Sequence, residues 1–274
     1  MPSILIQSDT DTRDALIAEL WELGTTGVIE NSDTVQAFFK DGSTLAQVAG
    51  RLSYPVLEIK TETDPANPPA PFPNRDPIYA GRRFFIASSS INDPAPPGRT
   101  RLVIDAADAF GSGSHESTQL VIQALEDHLP ANATVLDIGC GSGILSAVAQ
   151  ELGAAQVFAC DTHIGVFRSA RKHSPDSYFF AGSVDALAPS VADVVMINIG
   201  AGIIDLLADE LHRVIKPTGL LILAGFTSDR IPARIYPERV SQLNDWLCWL
   251  CRPQNIDRKH LPQKTLQPFP AQWW

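Results

Sequence analysis

The sequence predicts an α/β protein: a doubly wound, mostly parallel sheet preceded by a small α+β domain. Three observations lead there. From residue 100 onward, continuous apolar runs alternate with helical stretches, the pattern of a parallel sheet covered on both faces. The first 62 residues instead read as β-α-β-β-α-β, a ferredoxin-like order. Between the two, nine of the chain's 21 prolines fall within residues 63–98, where polyproline II geometry makes a stiff spacer. The expected division is therefore 1–64 for the small domain, 65–98 for the linker, 99–252 for the main domain and 253–274 for a C-terminal tail.

Each element has its own local reason. Ser3–Gln7 is a short β-type run, and a helix follows from about Thr12 with Leu16, Leu20 and Leu23 at helical spacing. Gly24 stands where a C′ glycine ends a helix. Thr26–Glu30 and Thr34–Lys40 read as strands joined by Asn31, Ser32 and Asp33. Ser43 is placed to cap a helix reaching Leu52, and Tyr54–Glu62 closes the domain as a strand. One apolar strand, Arg83–Ala87, interrupts the proline-rich segment. In the main domain the expected strands are Arg101–Asp105, Thr134–Ile138, Gln156–Cys160, Val194–Ile199 and Leu220–Ala224. Helices are expected near 115–128, 143–152, 164–172 and 202–214.

Composition narrows the function. Of 274 residues, 21 are Lys or Arg and 31 Asp or Glu, a formal charge of −10. Such a surface is poorly suited to a phosphate backbone, which needs cations to displace counterions, so no direct nucleic-acid binding is expected. Residues 1–62 hold ten acids and four bases, whereas residues 230–274 hold seven bases and three acids. An acidic N-terminal part suits a basic macromolecular partner. No apolar run reaches ~18 residues, so no membrane span is expected. Met1 to Ile6 lacks a basic n-region, and four cysteines make no disulfide framework, which points to the reducing cytoplasm.

Three segments carry chemistry. In the first, the strand Val135-Leu136-Asp137-Ile138 runs into Gly139-Cys140-Gly141-Ser142-Gly143 and then a helix opening at Ile144. Glycines there permit positive φ and let a ligand approach the backbone. The dinucleotide pattern G-x-G-x-x-G is not met, because position 144 is Ile. Asp161 ends the next strand, 22 residues after Gly139, where a carboxylate accepts both ribose hydroxyls of a nucleoside. The second segment, Ala109 to Thr118, contains Phe110, Gly111, Gly113 and His115. Ser114 is placed to cap the helix behind it, and His115, with no Cys or second His at ligand spacing, reads as structural. In the third, Val194–Ile197 ends in Asn198 before Ile199-Gly200-Ala201-Gly202, beyond the carboxyl end of a buried strand. Cys248-x-x-Cys251 reads as strand packing, and Trp273-Trp274 as a pair that docks on an apolar groove.

Asp137 before the glycines gives the D-x-G-x-G-x-G form of Rossmann-like class I S-adenosylmethionine-dependent methyltransferases. Taken together, AFGSGSHEST, VLDIGCGSG, ACD and VVMINIGAG resemble the PrmA-type family, which methylates lysine and N-terminal amines of the eleventh large-subunit ribosomal protein. A related branch methylates lysines of the electron-transfer flavoprotein β subunit. The family's loop reads A-F-G-T-G-x-H-x-T-T, with Ser112 and Ser117 here in place of two threonines. The resemblance covers residues 78–226 and extends loosely to the small domain; Asp245 to Cys248 matches its final strand. It implies S-adenosylmethionine as cofactor, bound by Phe110, Gly111, Thr118, Asp137, Gly139, Gly141, Asp161 and Asn198, with Asn198 also catalytic and no metal. It further implies a basic protein substrate. A small-molecule methyltransferase and a non-catalytic S-adenosylmethionine-binding scaffold stay open as alternatives. The absence of an N/D-P-P-[YF] signature after Ile197 argues against RNA.

Overall fold

A computed structural model describes residues 2–8, 13, 16, 19–20, 23–25, 27–30, 33–39, 42–61, 77–105 and 113–257. Phe110, Gly111 and the Trp273-Trp274 pair lie outside the described residues. The chain divides into two compact units, Met1–Pro73 and Asn74–Trp274.

The first unit is an antiparallel sheet of β1 (Ser3–Gln7), β2 (Gly27–Glu30), β3 (Thr34–Phe38) and β4 (Val56–Lys60), in the order β2-β3-β1-β4. That order is the one a ferredoxin-like β-α-β-β-α-β chain makes. Ile4 faces Ala37 and Ile6 faces Val35, so the alternating side chains of both central strands fall on one buried face. Leu16 and Leu20, on helical residues, cover that face with Leu45 and Val48 of α1 (Leu45–Arg51). Gly24 leaves the first helix at φ +86°, and Thr25 N–H donates to the Leu20 carbonyl at 3.1 Å, as a C′ glycine does.

The second unit holds a seven-stranded sheet ordered β10-β9-β8-β11-β12-β14-β13. Its strands are β8 (Thr134–Ile138), β9 (Gln156–Asp161), β10 (Tyr178–Ala181), β11 (Ala192–Asn198), β12 (Ile215–Thr227), β13 (Arg239–Leu243) and β14 (Trp246–Cys251). Strands β8 to β12 are mutually parallel, and β14 runs antiparallel to both β12 and β13. The helices are α2 (Glu116–His128), α3 (Ile144–Glu151), α4 (Phe167–His173) and α5 (Ala201–Val214). Alternation explains why the central strands read as unbroken apolar runs. Val194 and Met196 of β11 pack on one face with Leu120 and Val121 of α2, whereas Val195 and Ile197 pack on the other with Ile204 and Ala208 of α5. The same alternation sends Cys248 to the first face and Cys251 to the second, so this pair shares no site. Burial pushes both thiols up to about 12, which keeps them protonated and inert.

Several expectations are corrected. The strand expected at Arg101–Asp105 is not part of the main sheet. As β7 (Thr100–Val103) it joins β5 (Ile78–Ala80) and β6 (Phe84–Ala87) in a separate three-stranded sheet. The physical reason is visible in its burial: Leu102 is buried and Val103 exposed, a one-faced pattern that a strand covered on both sides cannot have. The linker expected at 65–98 therefore does not extend to 98. Ala80, Phe84 and Ile86 belong to the main core, and two arginines bind carbonyls of β6 and of the Pro-containing stretch that follows it. Arg99 donates to the Phe84 carbonyl at 2.8 Å, and Arg101 to those of Ile91 and Asp93. The C-terminal boundary at 252 moves too, since Ile256 is buried and bridges Ile235. Strands β10 and β13 were not expected. Both lie at sheet edges: β13 is almost wholly exposed and shows no apolar run, whereas β10 reads Tyr178-Phe179-Phe180-Ala181, an apolar run of only four residues.

Gly225 marks a bulge in β12, between Ala224 and Phe226. It has φ +92°, and a Cβ there would stand 2.6 Å from the Ile199 backbone nitrogen. Gly225→Ala is expected to destabilise the protein by about 2 kcal/mol or more, since left-handed strain and backbone overlap add. Urea unfolding measures this, and an unchanged midpoint would refute it.

Candidate active site

The glycine turn between β8 and α3 is built by its neighbours. Gly139, Gly141 and Gly143 have φ of +73°, +48° and +78°, conformations that a Cβ would strain. The N–H groups of Gly139 and Cys140 both donate to the Cys160 carbonyl, at 2.9 and 3.0 Å. Gly141 N–H donates to Asp161 Oδ2 at 3.0 Å, and Asp161 Oδ1 accepts from His163 N–H at 2.8 Å. The end of β9 thus holds the turn through one carbonyl and one carboxylate. Each carboxylate oxygen keeps further acceptor capacity, because an ionised carboxylate offers about four lone-pair sites.

Asp137, expected among the cofactor contacts, is a buried residue of β8. It is 1% exposed, and Ser146 Oγ donates to its Oδ2 at 2.6 Å. Ser146, fully buried in the first turn of α3, is the partner the sequence reading missed. Burial, only partly offset by that bond, pushes the Asp137 carboxyl up to about 7. Asp137 thus ties β8 to the first turn of α3 through Ser146. The cysteines nearby are equally closed off: burial raises the Cys140 thiol strongly and that of Cys160 to about 12.

A pH prediction follows for Asp137. The folded carboxyl keeps its proton up to about pH 7, whereas the unfolded one loses it near 4. Between those values the unfolded state binds fewer protons, so this group's contribution is full at low pH. It declines as pH rises, by up to about 1.4 kcal/mol per unit, and levels off above 7. Asp137→Asn removes the titration while its amide oxygen still accepts from Ser146. Relative to wild type, the variant is expected to gain stability between pH 5 and pH 8 in urea titrations. An equal difference at both pH values would contradict the assignment.

The other half of the site joins residues 80 positions apart. Asn198, at the carboxyl end of β11, donates from Nδ2 to Thr118 Oγ1 at 3.2 Å. Thr118 is 4% exposed, in the first turn of α2. Asn198 Oδ1 is buried and has no hydrogen-bond partner among the described residues, a costly state that an arriving N–H donor would relieve. The turn after β11 lies against the glycine turn: a Cβ on Gly139 would stand 2.8 Å from Ile199 Cγ2. Strands β8 and β11 are adjacent, and from β8 the chain winds outward to β9 on the opposite side. That is the topological switch point, where such sheets bind ligands.

His115, not Ser114, is the N-cap of α2. Its Nδ1 accepts from Ser117 N–H at 3.3 Å, and its ring meets Trp246 edge-on with centroids 4.4 Å apart. Asn244 Nδ2 donates to Glu116 Oε1 at 3.0 Å, so the β13–β14 turn anchors the helix that carries Thr118. Among the described residues no cluster of three metal-ligating side chains occurs, and no helix is long and apolar enough to cross a membrane.

These residues fit S-adenosylmethionine, the cofactor. Asp161 has acceptors for ribose hydroxyls, the turn presents glycine backbone while its Cys140 and Ser142 are buried, and the orphaned Asn198 Oδ1 awaits a donor.

Known proteins resemble this chain in sequence and fold. The family described as "Ribosomal protein L11 methyltransferase (PrmA)" matches residues 8–241. A ribosomal protein L11 methyltransferase of Deinococcus radiodurans is 30% identical over 240 residues, which is 83% of this chain and 85% of that protein. One from Janthinobacterium sp. is 36% identical over 165 residues, 57% of this chain and 52% of its own length. For one from Dechloromonas aromatica the figures are 34% over 182 residues, 63% and 61%. The chain thus spans most of the first of these relatives and little more than half of the others. A solved structure of a ribosomal protein L11 methylase from Lactobacillus delbrueckii subsp. bulgaricus shares the fold, with a TM-score of 0.59 at 24% identity. The match covers 64% of this chain and 98% of that one. The chain belongs to the ribosomal protein L11 methyltransferase (PrmA) family.

Proposed function

We propose that this protein transfers methyl groups from S-adenosylmethionine to amines, lysine side chains or an N-terminus, of a basic protein substrate in the cytoplasm, with ribosomal protein L11 the first candidate. The observation that supports this reading most is the Asn198–Thr118 pair, with its unpartnered amide oxygen beside the glycine turn. The relatives' printed names supply the acceptor class.

S-adenosylmethionine, when bound, supplies a sulfonium-activated methyl group. The chain's residues orient, desolvate and manage one proton. Asp161 holds the ribose end, and Gly139 and Gly141 let the backbone close on the cofactor. Thr118 fixes the Asn198 amide so that Oδ1 points its lone pairs at an amine N–H. A lysine amine has a free pKa of ~10.4, so presenting it neutral at pH 7 costs roughly 4.6 kcal/mol. A carboxylate beside it would stabilise the ammonium and raise that cost. A neutral amide orients the amine without this penalty, so no single general base is required. Phe110 and Gly111, outside the described residues, are kept as cofactor contacts on the family resemblance alone. The acidic stretch 1–62 suits the docking of a basic polypeptide.

The test is an acceptor panel: methyl-labelled S-adenosylmethionine offered with ribosomal proteins, small amines and RNA, then resolved by mass spectrometry. Label on protein amines is expected. Label confined to small amines would replace this reading with small-molecule methylation, and tight cofactor binding with no acceptor would leave a scaffold.

A further inference from the structure

His173 ends α4, outside every motif recognised in the sequence, yet its ring bridges two backbone segments. Nδ1 lies 2.8 Å from the Ser142 carbonyl, inside the glycine turn, and Nε2 lies 2.9 Å from the N–H of Asp105, just beyond β7. A carbonyl only accepts and an amide N–H only donates, so the partners dictate the tautomer: proton on Nδ1, lone pair on Nε2. Around the ring the contacts are redundant in direction. Lys172 Nζ meets Asp105 Oδ2 at 2.5 Å, and Ser89 N–H donates to Asp105 Oδ1 at 2.7 Å. One turn earlier on α4, the Ala170 backbone sits so close to Gly143 that a Cβ there would come within 2.9 Å. Ser142 itself is fully buried.

We propose that His173 is a positioning residue for the cofactor: its neutral imidazole locks the glycine turn to the end of β7, and so sets the turn's shape for S-adenosylmethionine. The proposal rests on the reading of residues 139–143 as the cofactor's seat. One ring thus ties the end of β7 to the glycine turn after β8. The ring touches no reacting atom. Its loss therefore weakens cofactor affinity and spares turnover once the cofactor saturates.

Two measurements on the full chain test this. Long-range 1H–15N spectra of histidine-labelled protein, with His173 assigned by its absence in His173→Gln, are expected to show the Nδ1-protonated tautomer. The Nε2-protonated tautomer would overturn the bridge without any reference to activity. Calorimetry with S-adenosylhomocysteine is expected to show about tenfold weaker binding for His173→Ala, the scale of one well-placed hydrogen bond. The turnover number at saturating cofactor is expected to stay within about twofold. His173→Asn, which keeps a donor near the Nδ1 position but has no acceptor in place of Nε2, is expected to recover only part of that affinity. It also keeps the proposal testable if the alanine variant fails to fold. Unmoved affinity in the alanine variant, or a collapsed turnover number at wild-type affinity, would overturn it. If wild type failed to bind S-adenosylhomocysteine, the cofactor reading would fall and take the proposal with it. Intact wild-type binding beside an unmoved variant would sink the proposal alone.

Discussion

Asp161→Ala is expected to weaken S-adenosylhomocysteine binding by roughly 100-fold or more, with little change in unfolding midpoint. Two roles meet in this carboxylate. It receives Gly141 N–H, which holds the glycine turn, and it has capacity left for the ribose hydroxyls. Hydrogen bonds to a charged acceptor contribute ~1.5–3 kcal/mol each, so losing two reaches that factor. Asp161→Asn keeps one acceptor oxygen and gives up the charge, and falls between wild type and alanine. Fold stability is spared because Asp161 sits at a strand end, half-buried, outside the apolar clusters. Calorimetry decides the matter: an alanine variant that binds as wild type does would remove Asp161 from the site.

Asn198→Ala is expected to lower the turnover number about 100-fold at saturating cofactor, the loss typical of a misaligned reacting group. Cofactor affinity falls far less, because Asp161 and the turn remain. Asn198→Asp separates orientation from electrostatics. Its side chain has nearly the same shape, but a carboxylate beside the amine favours the ammonium form. The variant is therefore expected to be slow at pH 7 and to recover as pH rises, its optimum displaced upward. Thr118→Val, which removes the acceptor of the Asn198 amide, shares the turnover loss in part. Full turnover in Asn198→Ala would show that the residue does not orient the acceptor.

Local sequence revealed those parts of the fold whose environment is uniform. Val135–Ile138 and Val194–Ile197 are buried on both faces, so their apolar runs announced central strands before a glycine turn and an asparagine. Edge strand β13 lacks that signal because nearly all its side chains meet water, and β10 offers only the four-residue run Tyr178–Ala181, exposed at both ends. Strand β7 was legible as a strand and misplaced, since Leu102 and Val103 differ in burial, which only the packed structure reveals. In the site, the glycines, Asp161 and Asn198 could be named from motif and strand end. The partnership of Asn198 with Thr118 could not, for it depends on α2 crossing to the end of β11. Asp137 was recognised by its motif, but its burial against Ser146 could not be read from it. A serine in the first turn after the glycines was the available clue. For His173 there was none, as both its partners are backbone atoms distant in sequence.

The most direct test of the account is residue-level mapping of methyl groups on ribosomal protein L11 after incubation with this protein and S-adenosylmethionine. The account predicts methylation on lysine Nζ or the N-terminal nitrogen, strongly reduced at limiting cofactor with Asp161→Ala and strongly slowed at saturating cofactor with Asn198→Ala. Methyl groups on side chains other than amines, or an unmodified L11 despite bound cofactor, would contradict it.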